Sequence, residues 1–257
     1  MAYLWGILVF LFGAAVGSFL NVCIHRIPRD ESVVRPPSAC PRCGHPIRFY
    51  DNIPLLSFFL LRGRCRDCQA RISPRYPLVE GITGVLCLAL FLQYGLTLRG
   101  GILFAFGAAL IVATFIDLDH QIIPDAITLP GIPLGFLAAV FVLQMDYLDS
   151  LLGIVAGGGT LWLIASGYRL LTKRSGMGMG DVKLLAMIGA FLGWQSILFV
   201  LFASSFFGSL VGIAIIAVKK GDMKYAIPYG PFLSAAAVAY LFWGARFTGF
   251  LLPGMGS

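Results

Sequence analysis

Thr114-Phe115-Ile116-Asp117-Leu118-Asp119-His120-Gln121-Ile122-Ile123-Pro124-Asp125 places three carboxylates at the end of an apolar run that begins near Gly101. A carboxylate carried to membrane depth is costly, so its presence there marks a functional site by default. The partner expected elsewhere in the chain is Asp181, in Gly178-Met179-Gly180-Asp181-Val182-Lys183, which again stands where an apolar span meets a short basic segment. Two acids at the mouths of two spans predict a membrane-embedded pair that divides acid and base work between its members.

Of the 257 residues, 58% are hydrophobic and only 12% charged, and apolar runs of spanning length recur, which places the chain among polytopic membrane proteins. The formal net charge of +7 does not point to nucleic acid, because ten of the 19 Lys and Arg residues are arginines between Arg26 and Arg75, beside the first span. A juxtamembrane basic block sets topology or meets anionic lipid, so the expected partner is membrane lipid and no nucleic acid. Residues 1–24 lack a basic region before the apolar stretch and a small-residue cleavage site after it, and so read as a retained span rather than a signal peptide.

The expected architecture is an all-α polytopic helical bundle of about eight spans, at 4–24, 78–94, 102–116, 127–144, 151–171, 182–194, 197–218 and 231–252. It divides into a first transmembrane helix (1–24), a cytoplasmic zinc-binding loop domain (25–77) and a transmembrane core (78–257). Gly13, Gly17 and Ser18 in the first span are small residues that let helices approach. The sixth span is the weakest: at 1.5 Å per residue its 13 residues cover only about 20 Å of a hydrocarbon core about 30 Å thick. It must re-enter, tilt or sit in thinned bilayer.

Basic residues collect on the cytoplasmic side of membrane proteins. With the amino terminus outside, the cytoplasmic segments are 25–77, 117–126, 172–181 and 219–230, which hold the ten arginines, then Lys173 and Arg174, then Lys219, Lys220 and Lys224. Lys183 lies just inside the sixth span, and the opposite side carries Arg99, Asp146 and Asp149. Asp117, Asp125 and Asp181 then share the cytoplasmic face, as a working pair requires.

Cys40-Pro41-Arg42-Cys43 and Cys65-Arg66-Asp67-Cys68 are two Cys-x-x-Cys pairs separated by 21 residues, close to the spacing of two knuckles that close a tetrahedral thiolate site. Four soft ligands favour zinc. The alternative is two disulfides, which need an oxidising compartment, whereas the arginine-rich flanks put this loop in the cytoplasm. The zinc is expected to be structural, because four protein ligands leave no position for water and a loop poor in apolar residues needs a staple. His45 reads as a surface residue, and Cys23 and Cys87, in apolar spans, as packing residues.

Taken alone, Asp117 is equally a helix-end residue solvated at the interface, and that reading weighs more heavily on Asp119 and Asp125. Asp125 follows Pro124 and is placed to cap the next helix. Asp181 is harder to dismiss, because Gly176, Gly178 and Gly180 strip side chains from its approach and permit irregular backbone. No Gly-x-Ser-x-Gly elbow or His-Glu-x-x-His helix is present, and His25, His45 and His120 lack a credible serine or cysteine partner. Two carboxylates close together in a low dielectric share one proton, so that one member activates water while the other protonates a carbonyl. An ion or proton-coupled transporter would use the same carboxylates, but transporters place them near the midplane, often within inverted repeats, and no repeat relates these halves. Gly157-Gly158-Gly159 reads as helix packing rather than a phosphate cradle. In Pro228-Tyr229-Gly230-Pro231 the two prolines leave backbone groups unpaired near the acids' face, for a substrate backbone, or simply begin a helix.

These motifs resemble those of the type IV prepilin peptidases, bifunctional leader peptidase and N-methyltransferase enzymes of the bacterial inner membrane. The resemblance runs through Gly17-Ser18-Phe19-Leu20-Asn21-Val22-Cys23-Ile24-His25-Arg26-Ile27-Pro28, the two Cys-x-x-Cys pairs, Asn52-Ile53-Pro54 and Arg75-Tyr76-Pro77-Leu78-Val79-Glu80. It continues through Asp117 to Asp125, Gly178-Met179-Gly180-Asp181-Val182-Lys183-Leu184 and Ile227-Pro228-Tyr229-Gly230-Pro231-Phe232. The resemblance implies that Asp117 and Asp181 are the two catalytic aspartates, the second in the Gly-x-Gly-Asp signature shared with presenilin-like intramembrane proteases. Asp119, Asp125, Gly178, Gly180, Lys183, Pro228 and Pro231 are expected as supporting residues. The implied substrates are type IV prepilins or type II secretion pseudopilins, cut after a glycine on the cytoplasmic side and then methylated on the new amino group with S-adenosylmethionine. No glycine-rich signature marks a place for that methyl donor, and the 25–77 loop with the adjacent rim is the expected region.

Overall fold

The computed structural model describes residues 2–173, 178–218 and 227–251. Gly176 and the topology-setting residues Arg174, Lys219, Lys220 and Lys224 lie outside the described residues. Apolar runs become helices α1 (Ala2–Arg26), α3 (Arg75–Tyr94), α4 (Leu98–His120), α5 (Asp125–Phe141), α6 (Tyr147–Thr172), α7 (Met179–Leu192), α8 (Trp194–Val218) and α9 (Gly230–Leu251). The short α2 (Leu56–Leu60) lies in the loop between α1 and α3. No strand occurs among the described residues, where the only extended pairing is two isolated bridges, Ala39 with Pro46 and Arg64 with Arg71.

The eight long helices coincide with the eight expected segments, and among the described residues five of them (α1, α3, α4, α6 and α8) are long and apolar enough to cross a membrane. α5, α7 and the described apolar stretch of α9, Gly230–Gly244, are shorter. Helix ends depart from the apolar pattern where caps and turns decide them. α4 does not stop at Ile116 but carries Asp117 and Asp119 in its final turns to His120. α7 ends at Gly193, which takes φ 78°, and α8 begins at once with Trp194, whose Nε1 donates to Asp149 Oδ1 at 3.0 Å. Asp146 caps α6 by accepting the Leu148 N–H at 2.9 Å.

The chain forms two compact units, 1–112 and 113–257, with the boundary inside α4. In the first, α1 and α3 run antiparallel. Gly17 meets the Glu80 backbone so closely that a Cβ would stand 2.7 Å from the Glu80 Cα, and the Asn21 side chain donates to the Tyr76 carbonyl at 3.1 Å. The small residues expected to admit a close neighbour therefore do so.

In the second unit α7 is the centre. Leu184, Leu185, Ile188 and Ala190 are fully buried, and α5, α6, α8 and α9 all pack against α7. This enclosure explains why its apolar residues cover every face, as befits a helix buried all round. Contact with α6 is backbone to backbone, since a Cβ on Gly189 would overlap the Gly153 backbone and one on Gly157 would stand 2.5 Å from the Leu185 carbonyl oxygen. Ser150 Oγ reinforces the pair by donating to the Ala190 carbonyl at 2.8 Å. In the expected Gly157-Gly158-Gly159 packing run, Gly157 and Gly158 face α7, whereas Gly159 has open space around it.

Gly189→Val should therefore lower the thermal stability of the detergent-solubilised protein by about 1–3 kcal/mol or more, as overpacking does, while Gly159→Ala leaves it unchanged. A Gly189→Val protein that melts with the wild type would show that α6 and α7 do not touch in this way.

Candidate active site and metal centre

Asp117 lies in the last turn of α4, only 5% exposed, and its Oδ2 accepts the Gly230 N–H at 2.9 Å. Gly230 opens α9, so this donor is one of the amides a helix start leaves without an intrahelical partner, and the helix dipole there favours an acidic neighbour. A side chain at 230 is excluded, because a Cβ would stand 2.7 Å from Asp117 Oδ2. Asp181 occupies the first turn of α7, half-buried, next to Gly180. Two acids separated along the chain thus share one end of the second unit.

Ile123 is the residue that holds this end together, and it was not among the expected site residues. Buried at 8% exposure, it fills the space left by two glycines: a Cβ on Gly180 would stand 2.9 Å from Ile123 Cβ, and one on Gly230 would stand 3.1 Å from Ile123 Cδ1. Gln121, at φ 54°, turns the chain out of α4, leaves Ile122 exposed and sends Ile123 inward. The signal available in the sequence was an Ile-Ile pair in an otherwise polar turn before Pro124.

The expected supporting residues divide. Gly180 makes the close approach just described. Gly178, the N-cap residue of α7, has no described atom nearer than 3.9 Å to where a Cβ would be, so among the described residues it meets no tight contact. Asp125 begins α5, but its side chain does not cap that helix; both its oxygens accept from Lys183 Nζ, at 2.7 and 2.8 Å, joining α5 to α7. Asp119 is exposed on the last turn of α4. Pro231 is the second residue of α9, a position where a missing N–H costs nothing. Pro228 lies on a cavity of about 390 Å³ with Leu161, Leu201, Tyr229 and Phe232, and the Tyr229 hydroxyl bonds Ser204 Oγ at 2.7 Å.

In the first unit the four loop cysteines converge: the Sγ atoms of Cys40, Cys43, Cys65 and Cys68 all lie within 4.8 Å of one another, and those of Cys40 and Cys68 are 3.8 Å apart. A tetrahedron of sulfurs about 2.3 Å from zinc has edges of about 3.8 Å, so the donor set fits that ion. Both knuckles are built alike. The N–H of Cys40 donates to the His45 carbonyl at 2.9 Å and that of Cys65 to the Ala70 carbonyl at 2.8 Å, while Gly44 and Gln69, four residues after each first cysteine, take left-handed φ of 70° and 57°. His45 thus contributes its carbonyl and keeps an exposed side chain. Cys23 and Cys87 are buried packing residues, as expected. Arg66 clamps Asp51 through Nε and NH2, at 2.9 and 2.6 Å, which holds the Asp51 carboxyl below the usual carboxylate range and ties the second knuckle to the preceding turn.

Two family models match the chain: the Bacterial Peptidase A24 N-terminal domain over residues 11–94, and the Type IV leader peptidase family over residues 104–213. The prepilin leader peptidase/N-methyltransferase of Aeromonas hydrophila is 41% identical over 274 residues, covering 96% of this chain and 94% of that protein. The proteins of the same name from Pseudomonas aeruginosa and Neisseria gonorrhoeae are 38% and 42% identical, covering 93% and 88% of this chain. No solved structure matches the chain.

Metal analysis of the purified protein should find a single zinc per chain, and Cys40→Ser or Cys65→Ser should release it and make the loop the first site of proteolysis. Wild-type protein isolated under reducing conditions without zinc would remove the metal assignment.

Proposed function

The chain belongs to the type IV leader peptidase family, and on that premise we propose that it cuts the leader from type IV prepilins or pseudopilins after a glycine and then methylates the new amino terminus. It is an aspartic peptidase with methyltransferase activity, embedded in a membrane by several long apolar helices. The proposed location is the bacterial inner membrane, with the amino terminus outside and both the acid pair and the zinc loop on the cytoplasmic side. The proposed division is a first span (1–24), the loop domain (25–77) and the protease core (78–257). The observation that carries the peptidase reading is that Ile123 packs against both Gly180, the neighbour of Asp181, and Gly230, whose N–H is held by Asp117 Oδ2.

In the proposed reaction Asp117 and Asp181 share a single proton over one water. The ionised member takes a proton from the water as its oxygen attacks the scissile carbonyl, and the other member donates its proton to the carbonyl oxygen. Collapse of the tetrahedral species breaks the C–N bond, the amine leaves with the proton held by the first member, and the proton on the former carbonyl oxygen returns to the second member as the C=O bond re-forms, which restores the shared proton. Ile123, Gly180 and the Lys183–Asp125 pair position the helices that carry the two acids, and no step passes through them. Cys40, Cys43, Cys65 and Cys68 would hold zinc with no open coordination position, so the ion supplies a fixed shape to the loop rather than chemistry.

S-adenosylmethionine is the methyl donor that an N-methyltransferase of this kind implies. The two described cavities, one lined by Phe10, Leu78 and Ile82 and the other by Leu161, Leu201 and Phe232, are mainly apolar and do not fit a charged nucleoside. Its proposed place remains the 25–77 loop and adjacent rim, with no step derived through it. The transporter alternative is not favoured, since both family models describe peptidases.

Mass spectrometry of a prepilin incubated with purified enzyme and S-adenosylmethionine should report loss of the leader and gain of a methyl group together. Asp117→Asn and Asp181→Asn should each slow cleavage by about 10²–10⁴-fold, the usual contribution of acid–base groups, while the protein still inserts. Cleavage at the wild-type rate by either variant would end the case for the pair.

A further inference from the structure

The helix α2 presents a face that no described residue covers. Leu56, Phe59 and Leu60 stand at spacings that share one side of a helix and are 51%, 70% and 73% exposed, and Phe49, just upstream, is 86% exposed. The opposite side is fixed inward: Ser57 is buried, donates to the Tyr50 carbonyl at 3.0 Å and accepts the Ile53 N–H at 3.1 Å. An apolar face of this kind in a basic loop requires an occupant.

The depth of α2 identifies that occupant. The Leu55 N–H donates to Glu80 Oε2 at 2.8 Å, and Glu80 also bonds Ser18 of α1. Glu80 is buried five residues beyond Arg75, the first residue of α3, so at 1.5 Å per residue the tether lies about 7 Å inside the helix end. Arg29, exposed just past the same end of the antiparallel α1, marks the head-group level there, as basic side chains at a span's end do. Helices with one apolar face settle about 5–10 Å into the boundary between head groups and acyl chains, the level at which Glu80 holds Leu55. Arg62 and Arg64, both exposed, follow α2 directly and supply charge complementary to anionic head groups.

We infer that α2 and Phe49 form a lipid seat: Phe49, Leu56, Phe59 and Leu60 enter the acyl boundary of an anionic bilayer, Arg62 and Arg64 meet its phosphates, and the Glu80–Leu55 bond fixes the depth. The seat, which lies between the two knuckles in the chain, thereby fixes the zinc module on the membrane surface. The inference rests on α1 and α3 spanning the bilayer and is independent of the peptidase chemistry.

The test places the photoreactive residue p-benzoylphenylalanine at Phe59, at Phe49 and, as a control on the exposed part of the zinc module, at His45, in the full chain. The protein is reconstituted in vesicles of phosphatidylethanolamine and phosphatidylglycerol. Irradiation should add the mass of one phospholipid at 59 and 49 with a yield several-fold above that at 45, and replacing the anionic lipid with phosphatidylcholine should lower that yield several-fold. Equal yields at the three positions, or capture of added prepilin, a second copy or another segment of this chain, would overturn the seat, and an unchanged yield in phosphatidylcholine would overturn the arginine contacts. Prepilin cleavage measured in the same vesicles keeps the two readings apart. Cleavage without lipid capture counts against the seat alone, and capture without cleavage by the wild type counts against the peptidase alone.

Discussion

One hydrogen bond, from the Gly230 N–H to Asp117 Oδ2, spans 113 positions of sequence and fixes where the second unit begins and ends its working face. Buried polar groups must find partners inside the protein, and here an unpaired carboxylate and an unpaired helix-start amide satisfy each other. The bond sets the level of α4 against α9. Ile123, wedged between Gly180 and Gly230, then carries that register to α7 and so to Asp181. The acid pair is thus a product of packing among three helix ends.

The first unit follows the same rule with different groups. Glu80, buried in α3, is satisfied by Ser18 and by the Leu55 N–H, so a membrane helix holds the loop in place by one of its own side chains. Beyond that tether the loop has little apolar core, and its shape comes from two like knuckles with converging thiols. Such a segment relies on cross-linking rather than burial, because its conformational entropy is not offset by a hydrophobic interior.

What the sequence made legible was whatever is encoded locally. Apolar runs placed all eight long helices, and the Cys-x-x-Cys spacing placed four thiols that meet. Asp117 and Asp181 were visible as acids where acids are costly. What it concealed depends on neighbours distant in the chain. Asp125 looks like a cap by position, yet Lys183 lies close enough to take both its oxygens. Gly178 and Gly180 look alike, but only Gly180 faces a side chain that forbids a Cβ. Ile123 carries no chemical signal at all, and its importance emerges only once α7 and α9 are in place. The sixth segment looked too short to cross a bilayer because α7 is built for another setting, a sheath of helices in place of lipid.

That sheath has a consequence for how the protein meets different membranes. Membranes vary in thickness, and helices bathed in lipid respond by tilting or by deforming the bilayer around them. α7 is surrounded by α5, α6, α8 and α9 and is locked to α6 through bare backbone at Gly153 and Gly189. Its height is set by protein contacts, so the outer helices absorb changes in acyl-chain length while Asp181 keeps its level beside Asp117.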